Sequence, residues 1–196
     1  MKSNFWELKN KEKICVFDID GVLLSSYPAC WIEFVNSKLK TNFNDLHEMK
    51  NTIPYEKYRK LKEEYRVCGI KATFSPDKFA SSVTQKLKQL GYSCVIMTAR
   101  PVDKYPQLYN LTLDWLRNNK IVCDLIYFGE KNKHAKILSE LPHAKFIVED
   151  NSYIANQISK WGYTVFLLTN KYNEKQKLEK NVVRIFKLGD ILEKIK

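Results

Sequence analysis

The chain predicts an α/β protein built on a parallel sheet with helices on both faces, and three observations predict it. Short apolar runs rich in β-branched and aromatic residues recur along the sequence, as buried strands require. Between them the apolar residues fall into the helical period, so strand and helix alternate. Each of the first four runs passes directly into polar residues, and in a doubly wound sheet ligands bind at the carboxyl ends of the strands.

The runs, in order, are Ile14–Phe17, Cys94–Met97, Leu125–Phe128, Phe146–Val148 and Val165–Leu168, with a weaker one at Val182–Ile185. Phe79, Val83, Leu87 and Leu90 form one helical stripe, with Ser75 placed to cap it, Pro76 to occupy its first turn and Gly91 to end it. Leu108, Leu111, Trp115 and Leu116 form a second; Ala135, Leu138 and Leu141 a third. Ile154, Ile158 and Trp161 form a fourth, between a capping Asn151 and a terminating Gly162. From Val22 to about Ser75 no buried-strand pattern appears. Trp31, Phe34, Val35 and Leu39 suggest one amphipathic helix there, and Tyr55, Tyr58, Leu61 and Tyr65 another. This stretch reads as a helical insertion forming a lid: residues 22–75 a small helical cap, residues 1–21 and 76–196 the core.

At 44% hydrophobic and 28% charged residues the composition is that of a globular protein, not a disordered one. No apolar run approaches the ~18 residues of a membrane-spanning helix, so no membrane partner is expected. Met1–Lys13 is polar, unlike a secretory signal. The cysteines, Cys15, Cys30, Cys68, Cys94 and Cys123, are odd in number and widely spaced. They read as reduced buried thiols of a cytoplasmic protein, with no zinc or redox motif. The formal net charge of +11 suits anionic partners. The lysines are scattered rather than gathered in one arm, so nucleic acid is possible but not favoured over a small phosphate ester.

The strand tails carry the chemistry: Asp18-Ile19-Asp20-Gly21, then Thr98-Ala99-Arg100, then Gly129-Glu130-Lys131-Asn132-Lys133, then Glu149-Asp150-Asn151. Asp18 and Asp20, two apart, face one side of an extended segment and coexist only if a cation or proton separates them. Mg²⁺ takes oxygen ligands with one or two protein carboxylates; Asp18, the backbone carbonyl of Asp20, and Asp150 would supply them. A carboxylate can also attack phosphorus and form an aspartyl-phosphate, while a second acid protonates the leaving alcohol and then activates water. Gly21 allows a sharp turn after the strand. Thr98 offers a hydroxyl and a backbone N–H to a phosphate oxygen, and Lys133 a positive charge at a helix start. Arg100 reads equally as a substrate contact and as a salt-bridge partner.

Asp18-Ile19-Asp20-Gly21-Val22 after an apolar strand resembles the first motif of the haloacid dehalogenase-like superfamily. Thr98 resembles its second, Lys133 its third and Glu149-Asp150 its fourth, in that order from residue 14 to about 170. The resemblance implies a Rossmann-like parallel sheet flanked by helices, with a small helical cap inserted after the first strand. It also implies a Mg²⁺-dependent phosphomonoester hydrolase working through an aspartyl-phosphate. Asp18 would be nucleophile and Asp20 general acid/base, with Thr98, Ala99, Arg100 and Lys133 binding phosphate and substrate. Asp18, Asp20 and Asp150 would hold the metal, with Glu149 beside them. Thr98-Ala99-Arg100-Pro101, Thr112–Leu116 and Phe146–Asn151 are most similar to the 5′(3′)-deoxyribonucleotidases and their bacterial relatives, and to the phosphatase domain of polynucleotide kinase-phosphatases. The short insertion and the absence of a Gly-x-x-x-x-Gly-Lys-Ser/Thr loop favour the first group, hence a 5′-nucleotidase on (deoxy)nucleoside monophosphates. A 3′-end phosphatase on nucleic acid and a catalytically quiet phosphate-binding module are the alternatives.

Three positions depart from the family pattern. Glu149-Asp150 replaces two aspartates, leaving open which carboxylate touches the metal; Lys131, Lys133 and Lys136 compete for the third-motif role; Val22 stands where threonine is common. His47, His134 and His143 are isolated and read as surface or structural residues. The insertion's aromatic residues read as lid core, with Trp31 and Tyr27 as candidate contacts to a base or sugar.

Overall fold

The computed structural model describes residues 13–129 and 132–195. Six strands, β1 (Ile14–Phe17), β2 (Ser93–Met97), β3 (Leu125–Tyr127), β4 (Ala144–Glu149), β5 (Thr164–Leu168) and β6 (Val182–Ile185), form one sheet in the order β3-β2-β1-β4-β5-β6. Every pairing is parallel. The strand residues sort by the period of two. Cys15, Phe17, Cys94, Ile96, Phe146, Val148, Phe166 and Leu168 enter one core. Ile14, Val16, Val95, Met97, Ile147, Val165 and Leu167 enter the other. Both faces are covered, so the runs are continuously apolar rather than alternating. Phe17 pairs with Ile96 on one side and Val148 on the other, which brings the polar tails of β1, β2 and β4 out nearly level. The chain steps outward from β1 to β2 to β3 and then returns to pair β4 with the opposite edge of β1. The crevice between β1 and β4 is thus the switch point of the sheet.

The helices on the sheet are α4 (Ala80–Gln89), α5 (Gln107–Asn118), α6 (Lys133–Glu140), α7 (Ser152–Ser159) and α8 (Asp190–Lys194). They follow α1 (Ala29–Leu39), α2 (Leu46–Thr52), α3 (Tyr55–Val67) and a 3₁₀ turn over Ile70–Thr73. Asn151 caps α7 as expected, accepting from the N–H groups of Tyr153 (3.0 Å) and Ile154 (3.3 Å). Four details of the helical reading differ. Ser75 and Pro76 lie outside α4, because Asp77 accepts the Phe79 N–H at 2.8 Å and delays the helix by a turn. Leu90 and Trp161 are exposed, since each lies past the last helical residue, where the chain turns through Gly91 or Gly162 at positive φ. Ala135 is exposed while Lys133, Ile137 and Leu141 are buried; the inward stripe of α6 begins on a lysine, which an apolar pattern passes over. Tyr55 opens α3 in solvent, leaving Leu61 and Tyr65 as its buried residues.

Val22, Leu23 and Leu24 are fully buried in the core of the sheet, so the chain packs there once more after β1 before it departs. The helices from 29 to 73 then build a core of their own from Trp31, Phe34, Val35, Met49, Ile53, Leu61 and Tyr65. Trp31 stacks on Phe34 with ring centroids 5.9 Å apart and meets Tyr65 at 5.0 Å. Its ring is fully buried, so it holds this small core together and cannot touch a base directly. The cysteines are free, but Cys68 is exposed, not buried as expected. No helix among the described residues is long and apolar enough to cross a membrane.

Candidate active site

Asp18 is the first residue beyond β1, and its N–H continues the ladder to Val148 O at 3.1 Å. One carboxylate oxygen accepts the Ile19 N–H at 2.7 Å; the other lies 3.0 Å from Lys133 Nζ. Lys133, the first residue of α6, is buried and also donates to Glu149 Oε2 at 2.7 Å. Glu149 Oε1 faces the N–H groups of Asp150 and Asn151, each at 3.3 Å. Lys133 is therefore the candidate lysine that reaches Asp18. Lys136 instead lies 3.7 Å from Glu140 and over the Tyr127 ring; Lys131 lies outside the described residues.

Ligand atoms of Asp18, Glu149 and Asp150 come within 4.8 Å of one another. Burial, reinforced by neighbouring carboxylates and opposed by Lys133, pushes Asp18 up to about 7. Burial, then Glu149 and Asp18, raises Asp150 well above the carboxylate range. Burial alone would lower the Lys133 ammonium, but Asp18 and Glu149 reverse this and raise it. Three close carboxylates with one lysine between them lack positive charge, and their hard oxygen donors fit Mg²⁺. Glu149 spends its oxygens on Lys133 and two N–H groups, which leaves Asp150 as the freer of these two adjacent carboxylates. The Asp20 carboxylate is not in this group; its contribution would be its backbone carbonyl.

Gly21 is what lets Asp150 sit here. With φ at +97°, a Cβ on Gly21 would lie 2.1 Å from Asp150 Oδ2, a separation no side chain tolerates. Tyr172 donates to that same oxygen at 3.1 Å. Asn173, almost fully buried, ties the Asp150 and Leu168 carbonyls together at 2.8 Å each. Neither residue was singled out from the sequence, because both lie in the loop after β5, away from the four motif tails.

Asp20 turns the other way. Arg100 Nη2 meets Oδ1 at 2.9 Å and Lys71 Nζ meets Oδ2 at 2.6 Å. Burial would raise this carboxyl, but Arg100 and Lys71 overcome it and hold it far below the usual range. Arg100 is thus a salt-bridge partner, oriented by Thr112 Oγ1 at 3.0 Å. Lys71 was missed: it comes from the 3₁₀ turn, and no local pattern links it to Asp20.

Thr98 is buried at the end of β2, but its N–H is already committed to Tyr127 O at 2.9 Å. That corrects the expectation of a backbone donor there; its hydroxyl oxygen accepts the Arg100 N–H at 3.3 Å. Ala99, the next residue, lines the two cavities that flank Asp20. The first, of about 380 Å³, holds Asp18, Lys133, Glu149, Asp150 and Tyr172. The second, of about 170 Å³, holds Lys62, Tyr65, Arg66, Lys71 and Arg100. Asp20 and Tyr27 line both. His47 and His143 are exposed, as expected, and line neither cavity.

No family model matches the chain. It is 29% identical over 185 residues to a nucleotidase of Clostridium acetobutylicum, an alignment covering 91% of this chain and 90% of that one. A haloacid dehalogenase-like hydrolase from Streptococcus pneumoniae superposes with TM-score 0.67 at 14% identity, over 93% of this chain and 98% of that one. A D,D-heptose 1,7-bisphosphate phosphatase from B. bronchiseptica, complexed with magnesium and phosphate, superposes with TM-score 0.56 at 12% identity, over 93% and 97%. These structural likenesses show the fold, and the nucleotidase is a likeness in sequence over about nine-tenths of both chains. The chain has the fold of the haloacid dehalogenase-like hydrolases.

Proposed function

We propose that this phosphatase hydrolyses a nucleoside monophosphate through a phosphoryl group carried on Asp18, with Mg²⁺ as its cofactor. The observation that carries the reading is Asp18 itself. It is a strand-end carboxylate 3.0 Å from a buried lysine and grouped with Asp150 in a cluster short of positive charge. The name of the Clostridium relative supports the nucleotide as substrate.

In this reading the Asp18 carboxylate attacks phosphorus, and the bond from phosphorus to the leaving oxygen breaks. Asp20 gives that oxygen a proton. It then takes a proton from water, whose oxygen attacks phosphorus and breaks the bond to Asp18. Lys133 and the Thr98 hydroxyl stabilise charge spread over the transferring group. Bound by Asp18, Asp150 and the Asp20 carbonyl, Mg²⁺ would neutralise charge between these carboxylates and the phosphate. Asp20, held ionised by its two cations, is ready as a base. To act first as an acid it must take up a proton, which requires the hold of Arg100 and Lys71 to weaken when substrate binds. The helices from 29 to 73 serve as the cap that excludes water.

Phosphate release across nucleoside monophosphates and sugar phosphates, with Mg²⁺ and with excess chelator, tests this. Turnover that needs the metal and is fastest on nucleotides is expected. Full activity in chelator removes the metal from the mechanism, and preference for a sugar phosphate removes the nucleotide.

A further inference from the structure

The smaller cavity is lined by four cations, Lys62, Arg66, Lys71 and Arg100, and by one carboxylate, Asp20. Asp20 pairs with Lys71 and Arg100. Lys62 and Arg66 have no carboxylate within ion-pair distance among the described residues. Lys62 makes do with the Tyr27 hydroxyl at 3.2 Å and with aromatic faces, lying 5.3 Å from the Trp31 ring centroid and 5.8 Å from that of Tyr27. Lys71 lies over the same Tyr27 ring at 5.7 Å. Two ammonium groups thus share one ring. Burial first, and then Arg66, Lys71 and Lys50, pull the Lys62 ammonium down to about 8. Such a gathering of like charge is costly unless an anion joins it. A further observation points the same way: the Tyr65 hydroxyl in this lining is buried without a hydrogen-bond partner, a cost that a ligand oxygen would remove.

We infer that this cavity receives a second phosphate group of the substrate, so that the preferred ester is a bisphosphate. The phosphate that is cleaved faces Asp18; the one that is retained sits among Lys62, Arg66 and Lys71 beside the Tyr65 hydroxyl. The two cavities meet at Asp20 and Tyr27, which places the retained phosphate on the side of the acid that serves the leaving oxygen. At about 170 Å³ the cavity exceeds the ~30 Å³ share of one water several-fold and accepts a group of phosphate size. This inference rests on the phosphatase reading and adds to it a substrate requirement read from the basic cavity of this chain.

The test is kcat/KM on matched pairs: adenosine 5′-monophosphate against adenosine 3′,5′-bisphosphate, and fructose 6-phosphate against fructose 1,6-bisphosphate. Two variants accompany the wild-type chain, Arg66→Gln and the double variant Lys62→Gln/Arg66→Gln. A preference of about tenfold or more for one bisphosphate is expected, as one added charge-assisted contact supplies. The pair that shows it tells a nucleotide from a sugar. In the variants the ratio should fall to within about twofold. A wild-type ratio at or below unity, or a ratio that survives both substitutions, overturns the inference. If no ester is hydrolysed, the phosphatase reading fails separately. Calorimetric affinity for pyrophosphate against phosphate, in the wild type and in Arg66→Gln, then decides the inference alone: pyrophosphate bound more tightly, with the advantage lost in the variant, supports it, and equal affinities overturn it.

Discussion

The two cavities on either side of Asp20 have opposite charge and opposite origins. Asp18, Glu149 and Asp150 form an acidic floor around one buried lysine, and every member sits at a strand end or the first residue of a helix. The basic wall takes Lys62 and Arg66 from α3, Lys71 from the 3₁₀ turn and Arg100 from the loop after β2. The floor is rigid because sheet register fixes it; the wall is assembled by the packing of the helical insertion. Chemistry requires the first kind of precision and substrate choice tolerates the second. Asp20 belongs to both, with its backbone in the floor and its carboxylate in the wall.

The largest effect that separates the two regions should come from Lys133. Lys133→Met removes the one cation of the floor, and kcat is expected to fall ~10²–10³-fold, as for loss of a preorganised transition-state donor. Steady-state kinetics on any accepted ester checks this. A fall below about tenfold would mean that the charge of Lys133 is structural only.

Arg100→Gln acts from the wall. It removes one of the two cations that depress Asp20, so kcat/KM should drop by roughly 10–100-fold, the worth of a hydrogen bond between charged groups. Because the folded-state carboxyl lies below its ordinary value and loses a cation, it must rise. Titration of the Asp20 carboxyl followed by NMR should therefore move to higher pH, a shift that a merely structural loss would not produce.

Much of this was legible in the sequence, for identifiable reasons. The strands could be read because both faces of the sheet are covered, which makes Ile14–Phe17 and its partners continuously apolar. The floor could be read because its residues follow those strands directly. Lys71 and Tyr172 could not be read: each reaches the site from a distant segment through one long side chain, and no periodicity records such a contact. Ala135 misled because the buried face of α6 begins at Lys133, where a paired lysine takes the place of an apolar residue.

The smallest effect concerns Lys62. Its ammonium is lowered from 10.5 to about 8 by burial and by neighbouring cations. Between those values the unfolded chain holds the proton and the folded chain releases it, so the folded state gains stability as pH rises through that window. The melting temperature of the wild type relative to Lys62→Gln should therefore rise from about pH 7 to about pH 10, by roughly 2–4 °C for a contribution on the order of 1 kcal/mol. A constant difference would show that Lys62 is not strained by its neighbours.

The division of labour between floor and wall depends on Asp18 accepting the phosphoryl group. The most direct test is rapid acid quench under single-turnover conditions, with mass spectrometry of the digested protein, in the wild type and in Asp20→Asn. With an ester whose leaving group needs no proton, such as p-nitrophenyl phosphate, Asp20→Asn slows only the activation of water and lets the adduct accumulate. One phosphoryl group on Asp18, absent from Asp18→Asn, is predicted. Release of phosphate with no adduct at any time, or an adduct on another residue, would contradict it.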